Sequence, residues 1–75
     1  MDINQLDKYR KLGLNIAYYR KLQGYTQMEF AEAVDIDRTH MGSIERADWG
    51  VSLDVIFKIA DVLKIPVHKL FEFRD

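Results

Sequence analysis

The stretch of sequence that decides the fold is GYTQMEFAEAVDIDRTHMGSIER, residues 24–46. In its T-Q-M-E segment, Thr26 occupies an N-cap position and Glu29 lies three residues later, which is the spacing of a capping box. Phe30 and Val34 follow at helical spacing, and charged side chains lie on the opposite side. These features predict a helix of about two turns that begins after the cap.

A second short helix follows after only three residues. Asp37 is a typical N-cap residue, and Met41 and Ile44 behind it form an apolar side, which predicts a helix over about residues 38–46. Asp35 lies where the chain must reverse. Glycine is the usual residue there, but aspartate tolerates positive φ better than most residues. Two short helices joined by so tight a turn form a helix-turn-helix, the motif of many proteins that read DNA.

The outward side of the second helix is small and polar, and it lies opposite Met41 and Ile44. Its residues are Arg38, Thr39, Gly42, Ser43 and Arg46. Because there is little bulk between the two cationic ends, this side can approach another surface closely. A glycine inside a helix costs about 1 kcal/mol relative to alanine. Gly42 is therefore either a tolerated local weakness or a point of close contact with a DNA groove.

Length and composition indicate one ordinary globular domain. The chain has 75 residues, of which 48% are hydrophobic and 31% are charged. We predict a single domain over residues 1–75, with the helix-turn-helix at about residues 26–46 and a frayed end at residues 1–5. The lack of cysteine excludes disulfides and thiolate metal sites, and no apolar run approaches the about 18 residues of a membrane span. We expect a cytoplasmic protein without metal, cofactor, membrane contact or evident small-molecule ligand.

The charge balance is unusual for a DNA-binding domain. The chain has 11 basic and 12 acidic side chains and a formal net charge of −1, whereas such domains commonly carry an excess of lysine and arginine. Binding depends on the few cations that reach phosphates. The net charge therefore neither supports nor excludes DNA, and a positive face has to arise from segregation of charges in space.

The segments on either side of the motif predict three more helices. A first helix spans about residues 6–23, with Leu12, Ile16 and Tyr19 inside and Asn15 outside. Ser52 caps a fourth helix, whose only polar stripe is Asp54, Lys58 and Asp61, so we expect that helix to be nearly buried. Pro66 begins a short fifth helix over about residues 67–73.

Residues inside and outside the central stretch together show a distinctive order and spacing. They are Ile16 and Arg20, Thr26-Gln27, Phe30-Ala31, Ile36, Ile44-Glu45-Arg46, Ser52-Leu53 and Leu70-Phe71. With them, residues 12–71 resemble the Cro/C1-type (XRE-like) helix-turn-helix family, which includes phage repressors and restriction-modification controller proteins. The resemblance implies an all-α, five-helix lambda-repressor-like DNA-binding domain. The chain departs from the family pattern at four positions: Asp35 and Ala47 replace common glycines, Asp37 a serine or threonine, and Val51 a proline.

The resemblance also implies roles for individual residues. Arg20 and Glu45 match a partly buried ion pair, and Gln27 matches a phosphate-contacting glutamine at a helix N-terminus. The base-reading positions are Arg38, Thr39 and Ser43. The further candidates for backbone contact are Thr26, His40 and Arg46; Arg46 is placed with phosphate because it lies at the far end of the helix. The alternatives are a solvated helix start for Gln27, a solvent-facing charge for Arg38 and a packing role for His40.

Three aromatic residues and one histidine complete the set of candidates. We expect Trp49 to pack over the edge of the core, with a contact to DNA or to a second copy as the alternative. Phe71 and Phe73 are candidates for a dimer interface; otherwise Phe71 packs inward and Phe73 frays. His68 stands alone, so it indicates no metal site.

The sequence thus predicts a sequence-specific regulator that binds double-stranded DNA, a repressor or controller acting as a homodimer on an inverted repeat. The alternative is a protein-protein interaction module of the same fold, an antitoxin or adaptor with weak or no DNA binding. An enzyme is not expected, because no second carboxylate, histidine or nucleophile is spaced to act with Glu45.

Overall fold

The computed structural model describes residues 1–73, and these form an all-α fold. The four α-helices are α1 (Leu6–Leu22), α2 (Gln27–Val34), α3 (Arg38–Arg46) and α4 (Leu53–Leu63). Two short 3-10 helices, Ile3–Gln5 and Val67–Phe71, lie before α1 and after α4. The predicted helix-turn-helix corresponds to α2 and α3.

The fifth helix that the sequence predicts over about residues 67–73 is not an α-helix, so the count of five α-helices is not confirmed. The segment forms a five-residue 3-10 helix, Val67–Phe71. The backbone N–H of Lys69 donates to the carbonyl of Pro66 at 3.0 Å, and that of Glu72 donates to the carbonyl of Lys69 at 3.4 Å. Bonds over three residues define the tighter helix. A segment this short has room for few α-helical hydrogen bonds, so the tighter turn replaces the α-helix.

The helix starts follow from local sequence. Thr26 Oγ1 accepts the backbone N–H of Glu29 at 3.1 Å, and Glu29 Oε1 accepts that of Thr26 at 2.8 Å, so the capping box is present. Asp37 caps α3 by accepting the backbone N–H of Thr39 at 3.1 Å, and Ser52 caps α4. Such caps stabilise a helix by about 1 kcal/mol each.

The residues that follow α2, α3 and α4 adopt the left-handed backbone conformation. Asp35 has φ 64° and ψ 47° after α2, as expected for the residue at the reversal. Ala47 after α3 and Lys64 after α4 adopt the same conformation, with φ 59° and 57°. A non-glycine residue pays about 1–2 kcal/mol for it. The turns are thus closed at a local cost that the packing of the helices must offset.

The core takes large side chains from every α-helix and from the last 3-10 helix. Ile16, Phe30, Met41, Ile59 and Leu70 are each 0% exposed. Burial of a side chain of this size contributes about 1.5–3 kcal/mol. These contacts fix α2 and α3 against α1 and α4, and they leave the opposite side of α3 at the surface.

The prediction that α4 is nearly buried is wrong. Leu53 is 64% exposed and Phe57 is 48% exposed, although Ile56 and Ile59 on the other side are buried. The helix packs one face against α2 and the C-terminal 3-10 helix. Leu53 and Phe57 therefore face outward, where periodicity alone had suggested a core helix.

One side-chain amide of α1 and one directly after it hold the C-terminal part of the chain. Asn15, which the sequence places outside, is half-buried and donates from Nδ2 to the carbonyl of Leu70 at 2.9 Å. Gln23 donates from Nε2 to the carbonyl of Leu63 at 2.7 Å. Both amides satisfy carbonyls near helix ends, which have no partner within the helix.

Residues 1–5, for which the sequence predicts a frayed end, include a short capped turn in the structure, and their fraying remains a prediction. Ile3–Gln5 form one 3-10 turn, and Asp2 caps it by accepting the backbone N–H of Asn4 at 2.9 Å. Ile3 itself is 77% exposed.

Candidate nucleic-acid interface

The position of α3 is fixed by a close approach to α1 at Gly13. A Cβ atom on Gly13 would lie 2.6 Å from the carbonyl oxygen of Glu45 and 2.8 Å from that of Ile44. Any larger residue would push the recognition helix α3 away from α1. Sequence analysis missed this residue, although a glycine inside an otherwise helical pattern is a recognisable sign of close packing.

A buried ion pair adds a second link between α1 and α3. Arg20 donates from Nε to Glu45 Oε2 at 2.8 Å and from Nη2 to Glu45 Oε1 at 3.1 Å. The two side chains are only 10% and 7% exposed. Arg20 Nη1 also donates to the carbonyl of Tyr25 at 2.9 Å, so the guanidinium holds the loop before α2 as well. The structure therefore joins the two residues that the resemblance pairs.

Gln27, the first residue of α2, belongs to the same network. Its Nε2 donates to Glu45 Oε1 at 3.2 Å, so that one oxygen accepts from both Arg20 and Gln27. An amide nitrogen has two hydrogens. One is used within the protein, which fixes the side chain at the seam between α2 and α3, and the second remains available for another acceptor.

A shallow depression of about 250 Å³ lies on the outward side of α3. It is lined by Gln27, Arg38, Thr39, Gly42 and Arg46. The lining contains two guanidinium groups and no carboxylate. Four of the predicted DNA-contacting residues thus come together in one concave, cationic surface, and they are held by α2 and α3 rather than by loops.

The other predicted contact residues lie elsewhere or have other partners. Ser43 is only 7% exposed, and its hydroxyl donates to the carbonyl of Thr39 at 3.0 Å. Thr26 uses its hydroxyl oxygen in the capping box. His40 is exposed but is not among the residues that line the depression. A base contact by Ser43 remains a prediction, and its burial argues against it.

Acidic residues border this surface. Asp37 caps the N-terminus of α3, and Asp35 is exposed in the turn before it. Beyond the C-terminus of α3, Asp48 Oδ2 accepts from Arg46 Nε at 2.9 Å. Sequence analysis missed Asp48 because an ion pair between exposed neighbours leaves no periodic signal.

A second exposed surface, whose residues do not line the depression on α3, is apolar. It consists of Leu53 and Phe57 of α4 together with Phe71, which is 44% exposed. Phe73 is half-buried and packs against the core, with its ring centroid 6.3 Å from that of Phe71. The two phenylalanine rings thus lie together and line one groove with Leu53, but Phe71 is the more exposed of the two.

Trp49 does not pack over the core. The side chain is 70% exposed in the loop between α3 and α4, so the expectation of a packing role is wrong. The loop is anchored instead by its neighbours, because Val51 packs against the core and Gly50 lies near the Tyr9 hydroxyl.

In residues 1–73, no group of three or more potential metal-ligating side chains lies together. The helices in this part of the chain are also too short or too polar to cross a bilayer.

Known proteins match both the sequence and the fold. The family model described as Helix-turn-helix matches residues 16–70. The HTH-type transcriptional regulator YazB of Bacillus subtilis is 43% identical over 58 residues, which are 77% of this chain and 84% of YazB. The restriction-modification controller protein C.AhdI from Aeromonas hydrophila has a crystal structure that matches with a TM-score of 0.84 at 32% identity, covering 87% of this chain and 98% of that one.

A third similar protein has been solved with DNA. The biofilm regulator SinR in complex with DNA matches with a TM-score of 0.77 at 34% identity, covering 81% of this chain and 98% of that one. The chain spans 59% of the SinR sequence of Bacillus licheniformis.

Proposed function

The chain belongs to the helix-turn-helix family of transcriptional regulators, and we propose that it binds double-stranded DNA sequence-specifically as a homodimer on an inverted repeat. The Cro/C1-type resemblance predicted from the sequence is confirmed by the family match and by the similarity to a controller protein. The relatives are regulators and controller proteins, so the prediction that the chain is not an enzyme is confirmed as well. A repressor or controller role and a cytoplasmic location are part of the proposal.

The observation that carries the proposal is the cationic depression on α3. Arg38 and Thr39 stand in the first turn of this helix and are exposed, and both line the depression. An α-helix fits the major groove of B-DNA, where an arginine fork can bind the O6 and N7 atoms of guanine. A threonine can contact the thymine methyl group. The two residues can therefore read bases when α3 lies in the groove.

Gln27 supports the same orientation of the protein. It lies at the N-terminus of α2, where free backbone N–H groups and the helix dipole favour an anion. Its second amide hydrogen is free to donate to a phosphate, while the first is fixed on Glu45. A backbone contact at this point would set the register of α3 in the groove.

A dimer is proposed because one domain of this size reads few base pairs. Two copies on a two-fold axis place their recognition helices one helical turn apart, at about 34 Å, and so require an inverted repeat. The exposed apolar surface of Leu53, Phe57 and Phe71 is the candidate interface. Apolar residues of this size on adjoining elements are typical of the buried centre of an interface. Phe73, which packs against the core, is a poorer candidate than the sequence suggested.

The proposal is tested by selecting bound fragments from a random DNA library at a stated salt concentration. We expect an inverted repeat, a preference over random DNA of about 1000-fold or more, and a steep fall of affinity with salt. Sedimentation with and without the selected fragment measures the stoichiometry, expected to be two chains per site. Weak binding with little salt dependence would instead support the protein-protein interaction module.

A further inference from the structure

Arg46 lies flat on the recognition helix instead of extending from its end. A Cβ atom on Gly42 would lie 2.9 Å from Arg46 Nη1, so the guanidinium occupies the space that a side chain at Gly42 would fill. Arg46 Nε donates to Asp48 Oδ2 at 2.9 Å. Building on the proposed DNA binding, we propose that Gly42 seats Arg46 and Asp48 holds it there, so that Arg46 reads a guanine rather than contacting phosphate.

The position of the Arg46 guanidinium over Gly42 determines which part of the DNA it can contact. Arg46 is the last residue of α3, and from that position alone a contact with the DNA backbone is expected. Gly42 lies one helical turn earlier, and side chains of a helix lean towards its N-terminus. The guanidinium therefore reaches into the depression that Arg38 and Thr39 also line. It stands among the base-reading candidates and not at the rim.

The ion pair with Asp48 determines which nitrogens are presented. With Nε occupied by the carboxylate, Nη1 and Nη2 remain as a pair of parallel donors. Guanine offers two adjacent acceptors, O6 and N7, in the major groove, and this is the commonest partner of an arginine fork. A fork held in one orientation can align with O6 and N7 of guanine but cannot rotate to match the acceptors of another base, so it discriminates between bases better than a freely rotating one.

Asp48 is thus a positioning residue whose contribution differs from that of a phosphate-binding group. Its negative charge opposes the general attraction of DNA. Its benefit is therefore expected in the discrimination between bases and not in the total affinity. A residue that only stabilises the fold behaves differently from Asp48, because its substitution would change neither the base preference nor the salt dependence of binding.

Gly42→Ala tests the seat. Alanine is the better helix former, and the atoms that its methyl group meets are the ends of the Arg46 and Gln27 side chains, at 2.9 and 3.3 Å. The variant is expected to fold, which a thermal melt checks. Binding is measured on the selected site and on sites changed at each base pair in turn. We expect Gly42→Ala and Arg46→Ala to lose preference at the same base pair, by about 5- to 150-fold.

Asp48→Asn tests the positioning, with Asp61→Asn as a control that removes the same charge from an exposed site on α4. We expect Asp48→Asn to lower the preference at the Arg46 base pair by about threefold or more, while total affinity for random DNA is unchanged or higher. Asp61→Asn should keep the preference. In an Arg46→Ala background, Asp48→Asn should have no further effect on it.

Two results would overturn the inference while DNA binding stands. One is a loss in Arg46→Ala that is equal on all sequences, with a salt dependence reduced by about one ion, which identifies a phosphate contact. The other is an unchanged base preference in Gly42→Ala. A wild-type chain with no sequence preference contradicts the proposed function itself, and the inference falls with it.

Discussion

Arg20 and Glu45, 25 residues apart in the chain, form two hydrogen bonds of 2.8 and 3.1 Å. The pair connects α1 to α3 beside the point where Gly13 lets the two helices meet. Glu45 also accepts from Gln27 of α2. The carboxylate of Glu45, on α3, therefore bonds to side chains of both α1 and α2, and the orientation of the recognition helix depends on it.

Removing one member of this pair should destabilise the domain strongly. We expect Arg20→Met and Glu45→Met each to lower the free energy of unfolding by about 3–5 kcal/mol, because the other charge is left buried without a partner. The double variant should lose less than the sum. Urea unfolding with a fixed concentration of stabilising osmolyte keeps the variants folded at the start. Strictly additive losses would show that the two groups do not interact.

The capping box should make the free energy of unfolding decrease at low pH. Hydrogen bonds from Thr26, first from its backbone N–H and then from its side chain, lower the pKa of Glu29 from the usual 4.5. Folding therefore favours the ionised carboxylate. Its contribution to stability is fully present above pH 4.5 and is lost as pH falls through the lower pKa of the folded state.

Glu29→Gln should remove this part of the acid sensitivity. Thermal unfolding is followed from neutral pH to below the usual pKa of the group. The matched control is Glu32→Gln, an exposed carboxylate on the same helix without a capping role. The prediction fails if both variants lose stability with falling pH as steeply as the wild type.

Arg38→Ala should weaken binding to the preferred site by about 1–3 kcal/mol and relax the preference at one base pair of each half-site. The reason is the position of Arg38 in the first turn of α3, at the edge of the cationic depression. Competition binding against single-base variants of the site measures it. Lys58→Ala removes an exposed cation from α4 and should keep the preference. An equal loss on every sequence would assign Arg38 to phosphate.

Asp37→Ser should strengthen DNA binding. Serine caps a helix about as well as aspartate, so the bond to the Thr39 N–H can be kept while a negative charge beside the phosphates is removed. We expect an affinity about two- to tenfold higher on all sequences at low salt, with the gain shrinking as salt rises. Asp61→Ser on α4 is the control for net charge. An unchanged affinity would mean that Asp37 lies too far from the DNA to matter.

The sequence predicted those parts of the fold and of the site that depend on near neighbours. The Thr26–Glu29 box and the left-handed Asp35 follow from residues within three positions, and both are present. The contact of Arg20 with Glu45 was reached only through the family resemblance, because periodicity carries no information about a partner 25 residues away.

The sequence did not predict the contacts that arise from packing. The bond from Asn15 to Leu70 joins residues 55 positions apart, and the exposed side of α4 has the same apolar pattern that a buried helix would have. For Gly42 the sequence predicted part of the arrangement, because this glycine was noted as a possible point of close contact with a DNA groove. What approaches it in the free protein is a side chain of the same helix.

Phe57→Asp on the apolar surface of α4 should weaken the dimer strongly without unfolding the domain. Phe57 is 48% exposed, so a charge there remains solvated in the monomer but would be buried between two copies. A central interface residue is worth about 2 kcal/mol or more, so the dissociation constant of the dimer should rise by about 30-fold or more. Sedimentation at micromolar concentration measures it, and binding to the inverted repeat should weaken with it.

Leu22→Asp is the matched control for this change. Leu22 is 66% exposed at the end of α1 and is not part of the proposed interface. It receives the same new charge, so the Leu22→Asp chain should sediment as the wild type does. Equal effects of the two substitutions would point to general charge repulsion. A wild-type chain that remains monomeric even with the selected DNA present would contradict the dimer itself, and each half-site would then have to be bound independently.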